Sequence, residues 1–440
     1  MGQGIESSTH PSATFAQAIL RSGLLDRDAL RAVVQSAPPD RLATPQLFAD
    51  YLVAIGKLSR FQANKLLKGA VIGLVLGPYH ILAPIGKGGM GSVYLARDSR
   101  NQQLLALKIL PPKRARTEER LRARFLREME MCQRVAHPHL TQTYEVGQHL
   151  GVYYIAMEFI PGQTLHRLVR DQGPLSVPRA ARLFVEVASG LEHAHQQGLI
   201  HRDLKPSNIM ITPNDHAKIL DLGLALMDNE EISDRSIVGG HRYIVGTMDY
   251  VAPEQAENSA AVDPRCDVYS LGCTLYYALT GQPPFPGGTS LQKIRRHLTE
   301  EPTPITELNP TVPIEFVRLV QWLMAKKPAR RPASAAAVRE ALLPWAGQAP
   351  VAAIDQAGDA AYQRAVATLQ EVDAEPEQLW EVIVGAHLGA VSPPPAAPPR
   401  RIRLKGTLPF WLDFLMPVGL GSLVLTGFWY LIFRWLVARW

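Results

Sequence analysis

A chain of 440 residues is longer than one hydrophobic core usually organises, which points to two or three folded units joined by linkers. Apolar residues at 47% and charged residues at 20% describe an ordinary globular chain, and three cysteines without metal or redox spacing exclude a disulfide framework, so the bulk reads as cytosolic and reduced. A net charge of +6 is the modest excess that solvated faces carry, which argues against a nucleic-acid surface.

The first ten residues lack the charged start and apolar run of a secretory signal, and Glu6 stands where a myristoylation motif needs Ser or Thr. Neither export nor N-lipidation is expected. Residues 1–75 carry helix signals: Thr44-Pro45 is an N-cap followed by proline at the first helical position, and Gly56 suits that helix's end. Ser59 and Gln62 have capping-box spacing, and Gly69 closes a second short helix after Leu66, Leu67 and Lys68. No catalytic constellation falls here. A docking or regulatory module and a helical brace packed on the neighbouring domain fit equally well.

From Tyr79 short apolar runs alternate with glycine-rich turns, which predicts strands, until a helix begins near Thr117. Glu118 and Glu119 suit the first turn of that helix, and Leu121, Phe125, Met129 and Cys132 mark its inward face, with Glu128 on the border. Strands thus come first and helices later, up to Trp345. An Ala/Pro-rich linker is expected over 346–405: some helical character to about Ala386, then the extended spacer of Ser392–Pro399. Phe414–Phe433 contains no charged residue and is long enough to cross a hydrocarbon core, and Trp411, Trp429, Tyr430 and Trp435 cluster toward its ends as interfacial belts do. A single C-terminal transmembrane helix is expected. Arg400, Arg401, Arg403 and Lys405 precede it and only Arg434 and Arg439 follow, so the positive-inside rule puts residues 1–405 in the cytoplasm. The few residues after Phe433 leave no room for an external sensor. No solenoid-type repeat is present.

The chemistry begins at Gly86-Lys87-Gly88-Gly89-Met90-Gly91, a glycine-rich turn whose missing side chains let backbone N–H groups approach phosphate oxygens. A dinucleotide-binding turn would need a helix opening at the last glycine, whereas Ser92–Ala96 reads as another strand, so a hairpin is expected. Lys108 lies inside the apolar run Leu104–Leu110, where an ammonium is costly unless an anion meets it. A phosphate or a carboxylate would serve. Spacing alone leaves open whether Glu128 pairs with it or is merely solvated.

The decisive segment is His201-Arg202-Asp203-Leu204-Lys205-Pro206-Ser207-Asn208, which supplies a carboxylate, a cation and a metal-ligating amide in one loop. With Asp221-Leu222-Gly223 and Ala252-Pro253-Glu254 following in order and at the required separations, the chain resembles the eukaryotic-type (Hanks-type) serine/threonine protein kinase family, in a bacterial membrane-anchored form, from Tyr79 to about Trp345.

The resemblance implies an α+β, two-lobed protein kinase fold, with the small helical region before it and the transmembrane helix after it. It also implies roles. Gly86, Gly88 and Gly91, with Ile85 beside them, would cover the ATP phosphates. Lys108 would hold the α- and β-phosphates and pair with Glu128. Asp203 would accept the substrate hydroxyl's proton, Lys205 would steady the γ-phosphate, and Asn208 and Asp221 would ligate Mg2+. Met157 would gate the adenine pocket, Glu158 to Ile160 would form the hinge, and Val93, Ala106 and Met210 would sandwich the ring. Glu254 would pair with Arg331, Asp267 would tie a buried helix to the catalytic loop, and His201 would pack rather than carry protons.

Lys205 and Gly246-Thr247 resemble kinases of serine and threonine. Arg202 before Asp203 implies control by phosphorylation of the activation segment, with Ser233 and Ser236 as candidate sites, while Thr247 more often has a structural role. Leu222 replaces the usual phenylalanine, and Leu105 and Leu107 the commoner valine and isoleucine, but every group that touches phosphate, magnesium or the hydroxyl is present. Protein substrates, including neighbouring copies of the chain on the membrane, are the expected partners of this signal-transducing transferase. The alternatives are a membrane-bound pseudokinase scaffold that binds nucleotide without transfer, which the intact site set opposes, and a small-molecule phosphotransferase, which the peptide-docking Ala252-Pro253-Glu254 segment opposes.

Overall fold

The computed structural model describes residues 11–87, 91–110, 135–220, 248–257 and 262–347, with short pieces between 115 and 133 and at 226–227. The expected spacer beyond 347 and the span Phe414–Phe433 lie outside these residues. Among the described residues no helix is long and apolar enough to cross a membrane.

Four helices open the described chain: α1 (Pro11–Ser22), α2 (Arg27–Ser36), α3 (Pro45–Ala54) and α4 (Arg60–Leu67). Their ends are where the local chemistry puts them. The Thr44 hydroxyl accepts the Leu47 N–H with Pro45 at the first helical position, and Ser59 and Gln62 close a reciprocal capping box. Gly56 and Gly69, just past the ends of α3 and α4, take left-handed φ values of 69° and 80° that a side chain would resist.

A six-stranded antiparallel sheet comes next, in the order β1-β2-β3-β4-β6-β5. It is built from β1 (Val75–Leu76), β2 (Tyr79–Lys87), β3 (Ser92–Asp98), β4 (Leu104–Leu110), β5 (Thr143–His149) and β6 (Val152–Glu158). The helical region therefore ends earlier than its expected boundary at 75: Val75 already pairs with His80, because the chain doubles back over Gly77 at φ 57°. Both faces of the sheet are covered, which explains why β4 is apolar almost throughout rather than alternating. On one face Tyr79, Ile81, Tyr94, Ala96, Leu105, Leu107 and Ile109 form a single core with Phe15, Ile19, Phe48, Leu52, Phe61 and Leu66 of the helices. The helices are thus a brace that shares the sheet's core. On the other face Leu110 and Ile155 meet Phe125 and Met129, two of the four residues expected to face inward; Leu121 and Cys132 lie outside the described residues.

Beyond β6 the chain is mainly helical: α5 (Leu165–Gln172), α6 (Val177–Gln196), α7 (Pro253–Glu257), α8 (Arg265–Thr280), α9 (Ser290–Thr299), α10 (Ile305–Leu308), α11 (Ile314–Leu323) and α12 (Ala335–Leu342). Short strands β7 (Gln163–Thr164), β8 (Leu199–Ile200), β9 (Ile209–Ile211), β10 (Ala217–Ile219) and β11 (Leu226–Met227) lie among them. Cys266 through Leu279 on α8 are all buried, as expected of a helix with no polar face, and this helix is the axis of the second core. Gly272 lets α11 approach, since a Cβ there would sit 2.8 Å from that of Leu323. The small lobe is thus strand-rich and the large one helical, as the α+β reading requires.

Candidate active site

Between β8 and β9 runs the loop that carries Asp203. Lys205 Nζ lies 2.6 Å from Asp203 Oδ2, and Asn208 Nδ2 donates to the Asp203 carbonyl at 2.9 Å. That bond fixes the amide, so the Asn208 carboxamide oxygen is left as the acceptor, an oxygen donor of the kind a hard divalent cation takes. The expected second ligand, Asp221, lies outside the described residues, but the strand leading to it is held: Leu220 N–H donates to the Asn208 carbonyl at 2.8 Å.

The loop's shape is strained and supported. Arg202 has φ 64°, a left-handed conformation that costs a non-glycine residue roughly 1 kcal/mol or more. Asp267, fully buried on α8, offsets this: its Oδ1 accepts the Arg202 N–H and its Oδ2 the His201 N–H, both at 2.8 Å. His195 Nε2, at the end of α6, lies 2.8 Å from the same Oδ2. Burial pushes the Asp267 carboxyl up, but the His195 hydrogen bond and charge and the loop amides outweigh it and hold the group below the ordinary carboxylate value. His201 Nδ1 accepts the Asp203 N–H at 3.3 Å, which leaves Nε2 to donate to the Leu220 carbonyl at 3.3 Å. Both ring nitrogens are used structurally, as the sequence implied.

On the sheet, register gathers the residues expected to meet the nucleotide. Val93 lies opposite Lys108, Ala106 opposite Met157 and Lys108 opposite Ile155, so Val93, Ala106, Lys108 and Met157 share the face turned away from the brace. Lys108 is 2% exposed. Glu128 lies outside the described residues, as does Gly88. A Cβ at Gly91 would overlap the Ile109 carbonyl oxygen, so only glycine fits; at Gly86 nothing among the described residues would lie within 4 Å of one. Ile85 packs against Leu82, Ala83, Leu95 and Phe159. Glu158 ends β6 with its side chain committed to Lys218 of β10 at 2.5 Å, and Ile160, two residues on, is buried. Met210 stands on β9 opposite Lys218.

Downstream, Arg331 holds Glu254 bidentately at 2.5 and 2.7 Å and spends its remaining donors on the carbonyls of Arg265, Ala325 and Lys326. Gln255 Nε2 donates to the Arg202 carbonyl at 2.9 Å, which ties α7 directly to the catalytic loop. Gln255, His195 and Lys218 are site-supporting residues that sequence reasoning missed; the contacts of His195 and Gln255 are 72 and 53 residues away, and no local pattern announces them. The segment with Leu222, Ser233, Ser236, Gly246 and Thr247 lies outside the described residues.

A curled antiparallel sheet above a helical lobe, with a carboxylate, a lysine and an asparagine converging on the loop between them, defines a protein kinase catalytic domain. The protein kinase domain family model matches residues 79–343, and the chain belongs to that family. Within it, the serine/threonine-protein kinase pkn3 of Myxococcus xanthus is 38% identical over 271 residues, 60% of this chain and 49% of that protein. The serine/threonine-protein kinases PknB of Mycobacterium leprae and of Mycobacterium tuberculosis (strain H37Rv) are each 36% identical, over 61% and 60% of this chain and 43% and 42% of their own lengths. The chain spans about half the length of these relatives or less. The four helices before residue 79 lie outside the family match.

Proposed function

We propose that the chain transfers the γ-phosphate of ATP to serine and threonine hydroxyls of proteins. The observation that carries this reading is the Asp203–Lys205–Asn208 constellation, held in a strained loop by buried Asp267. In the step, the hydroxyl oxygen attacks the γ-phosphorus in line, and the bond from that phosphorus to the β–γ bridging oxygen breaks. The hydroxyl proton passes to the Asp203 carboxylate and ADP leaves. Lys205, 2.6 Å from Asp203, is placed to offset charge on the transferred group, and Lys108 on the sheet face holds the α- and β-phosphates with Glu128 as its partner. Gly86, Gly88 and Gly91 cover the phosphates. Adenine sits between Val93, Ala106 and Met210, behind Met157, along the Glu158–Ile160 backbone. Asn208 and Asp221 would hold a magnesium ion, which would supply Lewis-acid neutralisation of phosphate charge.

Phe414–Phe433, outside the described residues, anchors the chain in the cell membrane with residues 1–405 in the cytoplasm, where ATP is, and the linker beyond the catalytic domain acts as a tether. Confinement raises the local concentration of copies and favours phosphorylation between neighbours at Ser233 and Ser236, where Arg202 can pair with the phosphate. The test is transfer of labelled γ-phosphate from Mg-ATP to the chain and to a generic basic protein, comparing the wild type with Asp203→Asn. Incorporation on Ser or Thr that vanishes in the variant supports transfer. Absence of incorporation despite tight Mg-ATP binding favours the scaffold.

A further inference from the structure

We infer that Ser59 and Gln62, in the helical brace outside the family match, are positioning residues for the glycine-rich turn and set the affinity for nucleotide through β2. The inference rests on the reading that this turn covers ATP.

The capping box of α4 uses only half of the polar capacity of these two side chains. Ser59 Oγ accepts the Gln62 N–H at 3.1 Å, and Gln62 Oε1 accepts the Ser59 N–H at 2.8 Å. The remaining donors reach across to the sheet. Ser59 Oγ donates to the Leu82 carbonyl at 2.5 Å, and Gln62 Nε2 donates to the Ile81 carbonyl at 2.8 Å. Both side chains are at most 5% exposed, so the four bonds form in the dry interior where each is strong and costly to lose.

Their point of attachment is specific. The β2–β3 register slips between Ile81 and Ala83, and Leu82 is the extra residue of that bulge. A bulged residue has no ladder partner, and here the brace supplies one. The bulge is four residues before Gly86, about 13 Å along a strand, and a second slip at Pro84/Gly86 opens the turn itself. Two side chains therefore pin the strand on the near side of the turn, while the pairing of Ser92 with Ile109 holds the far side. The clamp is rigid at its own root. Phe61 and Leu66 seat α4 in the shared core, and Arg60 pairs with Asp50 of α3. A clamp fixed to a packed helix transmits its geometry rather than yielding.

The test uses the full chain. Gln62→Glu keeps the Oε1 acceptor of the cap and loses the Nε2 donor; Ser59→Asp keeps the cap acceptor and loses the hydroxyl donor. Each is expected to raise the Kd for Mg-ATP by calorimetry, and the KM for ATP, by about fivefold, with the KM for a peptide substrate unchanged. Faster hydrogen exchange in the peptide spanning β2 and the turn should accompany this. Phe48→Leu, which loosens the same brace but leaves the Ser59 and Gln62 hydrogen bonds to β2 in place, should lower Tm while leaving the Kd unchanged; an equal Kd shift there would reduce the clamp to general stability and overturn the inference. Kd values within about twofold of wild type in whichever of the two clamp variants folds would also overturn it. If the wild type binds Mg-ATP but transfers no phosphate, the catalytic reading falls and the Kd comparison still decides this one. A wild type that binds no Mg-ATP overturns both.

Discussion

Removing the charge of Asp267 tests whether a buried carboxylate holds the catalytic loop in its strained form. In Asp267→Asn one oxygen becomes an NH2 group. With the amide oxygen kept on the Arg202 N–H, the new nitrogen faces the His201 N–H, formerly bonded at 2.8 Å, and His195 must change tautomer to accept. One backbone donor is left unpaired in a fully buried site and the remaining bond loses its charge assistance, together about 3 kcal/mol. For a domain of this size that is a drop in Tm of about 6–12 °C. Released from its anchor, Arg202 can leave φ 64°, and a displacement of about 1 Å at Asp203 costs on the order of 100-fold in kcat. The Kd for Mg-ATP should stay close to wild type, because the nucleotide face is built on β3, β4 and β6. Thermal unfolding by circular dichroism, initial rates on a peptide and calorimetric ATP binding read the three effects. The folded Asp267 carboxyl is held below its unfolded value, so its stabilisation is present above the unfolded value and is lost as pH falls through the folded one; Asp267→Asn should flatten that acid limb. A variant with wild-type kcat and a Tm within about 2 °C would refute the reasoning.

Gly91→Ala drives a methyl into the Ile109 carbonyl, so β3 and β4 must part beside Lys108, and the Kd for Mg-ATP should rise at least tenfold, roughly 1.4 kcal/mol, with a soluble folded chain by circular dichroism. His297 on α9 is fully buried, shares a hydrogen bond between its Nδ1 and the Tyr269 hydroxyl at 2.9 Å and packs edge-on to Phe285; burial, then nearby Lys326, pushes its pKa down to about 4. With the folded value below the unfolded one, its stabilisation is complete above about pH 6.5 and is lost as pH falls toward 4. Urea unfolding should therefore show wild type losing about 2 kcal/mol more between pH 7 and pH 5 than His297→Gln does; equal losses would refute the buried neutral imidazole.

Much of the site was legible because its residues sit close together in sequence. Asp203, Lys205 and Asn208 lie within six positions, and a loop that short brings them together whatever surrounds it. Local hydrogen bonding likewise made the caps at Thr44 and Ser59 readable, since each closes within three residues. The Glu254–Arg331 and Asp267–loop contacts came only from family resemblance, because nothing local to Arg331 signals a partner 77 residues away. The strand at Val75–Leu76 was missed because two residues carry no periodicity. Gln255, His195 and Lys218 were missed because a supporting hydrogen bond leaves no mark on the spacing of either partner.

The sequence by itself determined the order of strands and helices, the chemistry of the catalytic loop and the ends of the first helices. These are properties of contiguous residues, set by backbone sterics, capping and the juxtaposition of a few side chains. Only the tertiary structure decided that the first helices share the sheet's core, and that Ser59 and Gln62 serve the sheet as well as their own helix. An apolar helix face states that it must be buried but not against what, and a side chain's unused donor finds its acceptor only when two cores close on each other.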